Sequence, residues 1–416
     1  MSVGEVLSQL REPFGELFGQ VYFVYFATTL PYWGPPLLLW LFIYLWFFYV
    51  QMYFASERDW IMLEVKLPKD IMKSPKAMEV VLNVFHQPPR GTWFNRLWKG
   101  QLRAWFSLEI VSIGGNIKFF IRTHSFFREM IESQIYSQYP EVQIETVEDY
   151  TRYVSYLDPG SPWDFYGLEW KLDKPDPYPI KTYIDYELDK ERREAREHVD
   201  PITPIIELMG SLRGSEQLWF QFVIRATDKK FGRTGWFKRN DWKDEGRDLI
   251  RKLTKRDIKG PATEQLSFAE QSLSPGERHV VEAIERSISK YGFDVGIRTV
   301  YLAKKEDFRP ISFVGMFIVM KQFSSADLNG FKHMKKTDWD YPWEDFRGHR
   351  LRIRKRSMFR AYVRRWFFYP PYRRPYMVLS AEELATIYHF PGAVSETPTF
   401  ERTTSRRAGP PPNLPT

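Results

Sequence analysis

The chain has 416 residues, a net charge of +8 and no cysteine. That length allows two to three domains with sizeable cores, and the missing cysteine excludes disulfides, thiolate metal sites and a cysteine nucleophile. The positive balance is local: eleven Lys or Arg fall between Arg347 and Arg374 with no Asp or Glu before Glu382, so the rest of the chain sums to −3 (8 minus 11).

No charged residue occurs from Leu17 to Ser56, and Leu37–Phe54 is almost wholly apolar and aromatic. A bilayer core about 30 Å thick takes about 20 apolar residues, and in lipid only a helix satisfies such a backbone. Tyr32 and Trp33 at one end, and Tyr53 and Trp60 at the other, suit the two interfaces. The pattern predicts a membrane anchor over residues 1–58 with one transmembrane helix at about 36–54. Glu5, Arg11, Glu12 and Glu16 are not the basic leader of a signal peptide, so the anchor is expected to stay uncleaved. Phe18–Leu30 is apolar too, but Pro31, Gly34, Pro35 and Pro36 should break it into an interfacial or re-entrant piece. Only Arg11 precedes the span, whereas Arg58, Lys66, Lys69, Lys73 and Lys76 follow it. That asymmetry predicts a single-pass protein of the inner (cytoplasmic) membrane with its large C-terminal part in the cytoplasm.

Residues 59–150 read as β-α-β-β-α-β. Trp60–Leu67 alternates like a strand, and Ser74-Pro75 opens a helix to Phe85. Trp105–Ile113 and Ile117–Arg122 flank a Gly114-Gly115-Asn116 turn. A helix from Ser125 to Pro140 and a strand at Val142–Val147 complete a ferredoxin-like order. Residues 151–325 read as a second, distorted α/β module: strands at Trp163–Leu172, Glu216–Thr227 and Phe293–Ala303, and helices at Ile202–Leu212, Ser274–Tyr291 and Pro310–Phe323. A polar insertion at about 228–274 interrupts it, with a helix around Trp242–Lys255; Lys190–Arg196 reads as a solvated helix or linker.

Residues 326–379 form a basic aromatic segment. Arg350, Arg352, Arg354, Lys355, Arg356, Arg360, Arg364 and Arg365 are its candidate binding cations, interleaved with Phe359, Tyr362, Trp366, Phe367, Phe368, Tyr369 and Tyr372. Such a strip can meet DNA phosphates with bases stacked on its rings, lie on anionic lipid, or simply be a solvated face. Residues 380–416 form a strap: a Ser380–Glu383 capping box, a short helix to Tyr388, then a proline-rich tail through 409–416. Leu384, Ile387, Phe390 and Leu414 are its expected partner-docking anchors.

The run Glu382–Pro391 and the closing Pro-Pro-Pro-Asn-Leu-Pro are similar to a segment that precedes the motor of conjugation-type and HerA-like DNA-translocating ATPases. Trp105–Ser112 and Glu132–Pro140 resemble the N-terminal modules of the same proteins, and 35–416 as a whole resembles an uncharacterised family of membrane-anchored proteins from small-genome bacteria, in type IV secretion-like gene clusters. The resemblance implies an ATPase partner, a HerA-like or coupling-protein motor acting in trans, because this chain stops where the motor would begin and holds no Gly-Lys dipeptide for a phosphate-binding loop.

The seven histidines are at least sixteen residues apart, without metal-ligand spacing, and no Gly-x-Ser-x-Gly elbow occurs. No catalytic, cofactor or metal residues are therefore expected, and no cofactor. The reading is α+β: a transmembrane helix, two ferredoxin-like modules and a proline-rich strap. Its expected function is a non-enzymatic membrane scaffold that recruits a ring ATPase, with a membrane-tethered nucleic-acid-binding protein as the rival. The membrane is the first partner; DNA or anionic lipid and a second copy of the chain are the others.

Overall fold

The computed structural model describes residues 3–68, 73–87, 92–157, 160–189, 200–228, 230–231, 239–254, 273–338, 343, 345 and 348–392; side-chain placement in the first helix begins at Tyr22. The chain forms two compact units, Met1–Arg58 with Gly91–Leu102, and Asp59–Arg90 with Arg103–Thr416.

The first unit is helical. Helix α1 (Val3–Ser56) runs unbroken through the prolines expected to interrupt it. Each proline removes one amide donor, yet in an apolar setting helix remains the only conformation that satisfies the neighbouring backbone. Thr28 and Thr29 also donate their hydroxyls back to the Val24 and Tyr25 carbonyls, each at 2.8 Å. Tyr22–Ser56, 35 residues, is long and apolar enough to cross a membrane. The short α3 (Trp93–Trp98), absent from the sequence reading, follows an N-cap at Thr92. The Trp98 ring lies 5.6 Å from Trp46, and Gly100, at φ 62°, lets the chain pass against the Val50 backbone where a Cβ would collide.

The second unit is built on one nine-stranded sheet whose neighbouring strands are all antiparallel. Its first half is β1 (Trp60–Lys66), α2 (Pro75–Leu82), β2 (Phe106–Ile113), β3 (Asn116–His124), α4 (Arg128–Gln138) and β4 (Gln143–Val147). Its second half is β5 (Trp163–Leu172), α5 (Thr203–Gly210), β6 (Gln217–Ala226), β9 (Gly292–Lys304), α8 (Pro310–Met320) and β10 (Phe331–Lys336). Between β6 and β9 lie a ribbon of β7 (Lys230–Phe231) and β8 (Arg239–Asn240), then α6 (Trp242–Leu253) and α7 (Pro275–Ser289). The strand order is β10-β5-β9-β6-β2-β3-β1-β4. Read outward from the β2–β6 seam, both halves run second, third, first, fourth strand. The seam pairs Phe106 with Ile224 through Ile113 with Gln217. Each half would otherwise expose an open strand edge there, which is a liability in water. The two expected modules are therefore halves of one sheet rather than separate domains.

One sheet face carries a core shared by both halves, with α2, α4, α5 and α8 packed on it. The other carries a smaller core of Met62, Val111, Phe120, Trp219 and Val300, covered by Tyr150 and by α9 (His349–Val363) through Met358, Phe359 and Tyr362. Strand β11 (Met377–Ser380) pairs with the start of β9, and α10 (Ala381–Ile387) follows directly, held by the Ser380–Glu383 capping box.

This placement corrects the strap. Leu384, Ile387 and Phe390 are buried in the chain's own main core, with the Phe390 ring 5.5 Å from Phe119 and 5.0 Å from Tyr139. Burying such side chains stabilises by roughly 1.5–3 kcal/mol each, so a folded chain keeps them and does not present them to a partner. Leu414, the tail at 409–416 and Lys190–Arg196 lie outside the described residues.

Candidate anion-binding site

A polar row crosses the sheet beneath the basic segment. Register sets Glu109 of β2 opposite Gln221 of β6, Gln221 opposite Arg298 of β9, Arg298 opposite Glu169 of β5, and Glu169 opposite Lys335 of β10. The first four are buried completely. Gln221 Nε2 donates to Glu109 Oε1 at 2.9 Å, Arg298 Nη1 to Gln221 Oε1 at 2.9 Å, and Arg298 Nη2 to Glu169 Oε1 at 3.2 Å. Buried polar groups cost free energy unless bonded, and here each bonds to the next.

The basic segment closes over this row. Helix α9 ends in a Schellman arrangement: the Arg365 amide donates to the Tyr362 carbonyl and the Trp366 amide to that of Ala361, both at 3.0 Å. Arg365 takes the left-handed position, φ 54°, usually filled by glycine. Its guanidinium is buried, with Nε 2.9 Å from Glu109 Oε1 and Nη2 3.0 Å from Glu109 Oε2; Asp149 accepts from the other side. Burial alone would raise the Glu109 and Asp149 carboxyls, but the Arg365 guanidinium overrides it and holds both below the ordinary carboxylate range. Tyr150 donates to Glu109 at 2.8 Å and meets the Tyr362 hydroxyl at 2.7 Å. Beyond the helix, Arg298 donates to the Trp366 carbonyl and the Tyr372 hydroxyl to Glu169 at 2.8 Å. The Phe367 ring lies directly on Gly296, where any side chain would clash.

These contacts sort the predicted cations. Arg365 is an internal ion partner, which removes it from the binding set. Lys355 is tied to Asp164 at 2.8 Å, and Arg356 donates to the Leu157 carbonyl at 3.4 Å. Arg352 and Arg360 stand exposed on α9, and Arg364 stands exposed at its C-cap. Five of the interleaved rings, Phe359, Tyr362, Phe367, Phe368 and Tyr372, are buried. Those five therefore cannot stack on nucleobases, and the strip meets its surroundings mainly through charge.

Arg350 and Arg354, one turn apart on α9, line a cavity of about 610 Å³ at the outer end of the polar row. Lys335 and Arg374 form its other cationic wall, Glu169 its floor, and Met334, Ile353 and Pro375 its apolar part. Arg354 Nη1 donates to the Lys336 and Asp338 carbonyls at 3.2 Å, which holds one edge of its guanidinium in place. Arg374 Nε is 3.4 Å from Glu169 Oε2. Lys335 lies 5.4 Å from the Tyr372 ring; burial first, then the Arg374 guanidinium, push its ammonium down to about 8. Lys335 and Arg374 were not singled out from the sequence. Lys335 sits among lysines on an edge strand, and only the β5–β10 register brings it to this wall.

Among the described residues no group of three or more His, Asp or Glu could hold a metal ion. A comparison with curated proteins gives no match. Residues 51–403 match the family model described as Domain of unknown function (DUF8128), and the chain belongs to that family.

Proposed function

We propose that the chain is a non-enzymatic, membrane-anchored scaffold that holds nucleic acid beside the inner membrane, on the cytoplasmic side, within a type IV secretion-like or DNA-translocation assembly. The observation that carries this reading is the exposed cationic face of α9 and its C-cap, Arg352, Arg360 and Arg364, on a helix clamped to the sheet by Arg365 and Lys355. Cations on a rigid helix meet phosphates without first losing the freedom of a disordered basic tail. The lipid-compatible α1 supplies the tether. The resemblance at 105–112, 132–140 and 382–391 supports a separate ring ATPase as the motor of the assembly. Burial of Leu384, Ile387 and Phe390 turns any contact with that motor, or with a second copy of the chain, to other surfaces. The matching strand order of the two halves supports reading each as a ferredoxin-like module, a fold used as readily for interfaces as for chemistry.

The test is binding of a fluorescent DNA duplex to the full chain in phosphatidylcholine nanodiscs across a salt series. Binding that weakens steeply with salt is expected. Absence of DNA binding at low salt, with retention on anionic vesicles, would move the cationic face to lipid and end the nucleic-acid reading.

A further inference from the structure

The cavity at the end of the polar row has a composition of its own. Its described lining holds four cations, Lys335, Arg350, Arg354 and Arg374, against one carboxylate, Glu169. Glu169 is completely buried, with Oε1 engaged by Arg298 and Tyr372 and Oε2 facing Arg374 at 3.4 Å. The cations come from three directions: α9, strand β10 and the turn before β11. Guanidinium groups bind phosphate through paired N–H donors, and an ammonium adds a compact point charge. The cavity is larger than one phosphate needs, and Ile353, Met334 and Pro375 give it a non-polar side.

We infer that this cavity binds an organic phosphate, with a phosphate monoester held by Lys335, Arg350, Arg354 and Arg374 and the organic body lying over Ile353, Met334 and Pro375. Two sources present that chemistry: a nucleotide in solution, or the headgroup of phosphatidic acid. The inference is separate from the nucleic-acid face, since Arg352, Arg360 and Arg364 do not line the cavity. The lowered Lys335 ammonium fits an occupant that arrives as an anion. Bound phosphate raises that group again, so binding near pH 8 takes up a proton.

The experiment is isothermal titration of the full chain in phosphatidylcholine nanodiscs with AMP, and separately with dihexanoyl phosphatidic acid against dihexanoyl phosphatidylcholine. Binding of AMP alone identifies a nucleotide site, and binding of phosphatidic acid alone a headgroup site; both outcomes support the cavity. Lys335→Met and Arg374→Met should each weaken binding about tenfold or more, the worth of a charge-assisted hydrogen bond. Arg352→Ser should leave it unchanged. In the unaltered chain the binding enthalpy at pH 8 should shift with the ionisation enthalpy of the buffer, a readout that needs no variant to fold. Failure of both probes to bind, or binding indifferent to Lys335→Met and Arg374→Met, would each overturn the inference.

Discussion

Arg365 meets Glu109 through two hydrogen bonds, 2.9 and 3.0 Å, across 256 residues of chain and in full burial. The arginine sits in a left-handed backbone conformation that suits glycine better. The pair therefore does more than neutralise charge: it fixes the end of α9, and with it the cationic face and the cavity wall.

Removing Arg365 leaves Glu109 and Asp149 facing an apolar core. Arg365→Met should cost about 3–5 kcal/mol of stability, the range for breaking a buried ion pair from one side. Arg365→Gly relaxes the backbone but should still destabilise, because the carboxylates stay uncompensated. Denaturant unfolding measures both, and adding Glu109→Gln to Arg365→Met should recover part of the loss.

The strap belongs to the fold. Phe390→Ala should lower stability by about 3–5 kcal/mol, the usual cost of emptying a buried phenyl site. A melting temperature unchanged by this substitution would return Phe390 to the role of a free docking anchor.

Stability should peak at mildly acidic pH. Glu216 is held down to about 2; burial opposes this, but Arg309, Tyr301, Ser312 and the Arg213 amide outweigh it. Its contribution is present above the ordinary carboxylate value and is lost as pH falls toward about 2. Glu383 is the opposite case: burial pushes its carboxyl up to about 7 despite the Ser380 and Ile180 amides. The native state then holds a proton that the unfolded chain releases, so this contribution is full below the ordinary value and is lost as pH rises through about 7. Melting curves across pH should show both slopes. Glu383→Gln should flatten the neutral-side slope and Glu216→Gln the acid-side one.

Much of the sheet was legible from sequence, and the reasons are local. Alternating apolar residues marked β1, an apolar run marked β6, and Ser74, Ser274 and Ser380 marked three helix starts that the structure retains. What escaped depends on register between distant strands. Glu109, Gln221, Arg298 and Glu169 are separated by tens of residues or more and become neighbours only through pairing. Arg365 read as one more exposed cation because nothing beside it in sequence reveals Glu109. Strand β11, four residues long, is too short to show a period, so the helix after it looked like a detachable hook. The unbroken α1 ran against the usual meaning of proline, a rule that holds in water more strictly than in lipid.

The anchor can be mapped chemically, because the chain has no cysteine. A single cysteine at the exposed Arg352 should react with a membrane-impermeant maleimide only after cells are permeabilised. Labelling in intact cells would reverse the topology.

The most direct measurement of the central claim is the salt slope of DNA binding by the full chain, compared with that of Arg352→Ser/Arg360→Ser/Arg364→Ser. Each phosphate contact contributes about 0.9 to the slope of log affinity against log salt. The account predicts that the triple variant binds more weakly and loses about 2.7 from that slope while its melting temperature is preserved. An unchanged slope and affinity in a folded triple variant would contradict it, since the face assigned to nucleic acid would then not touch it.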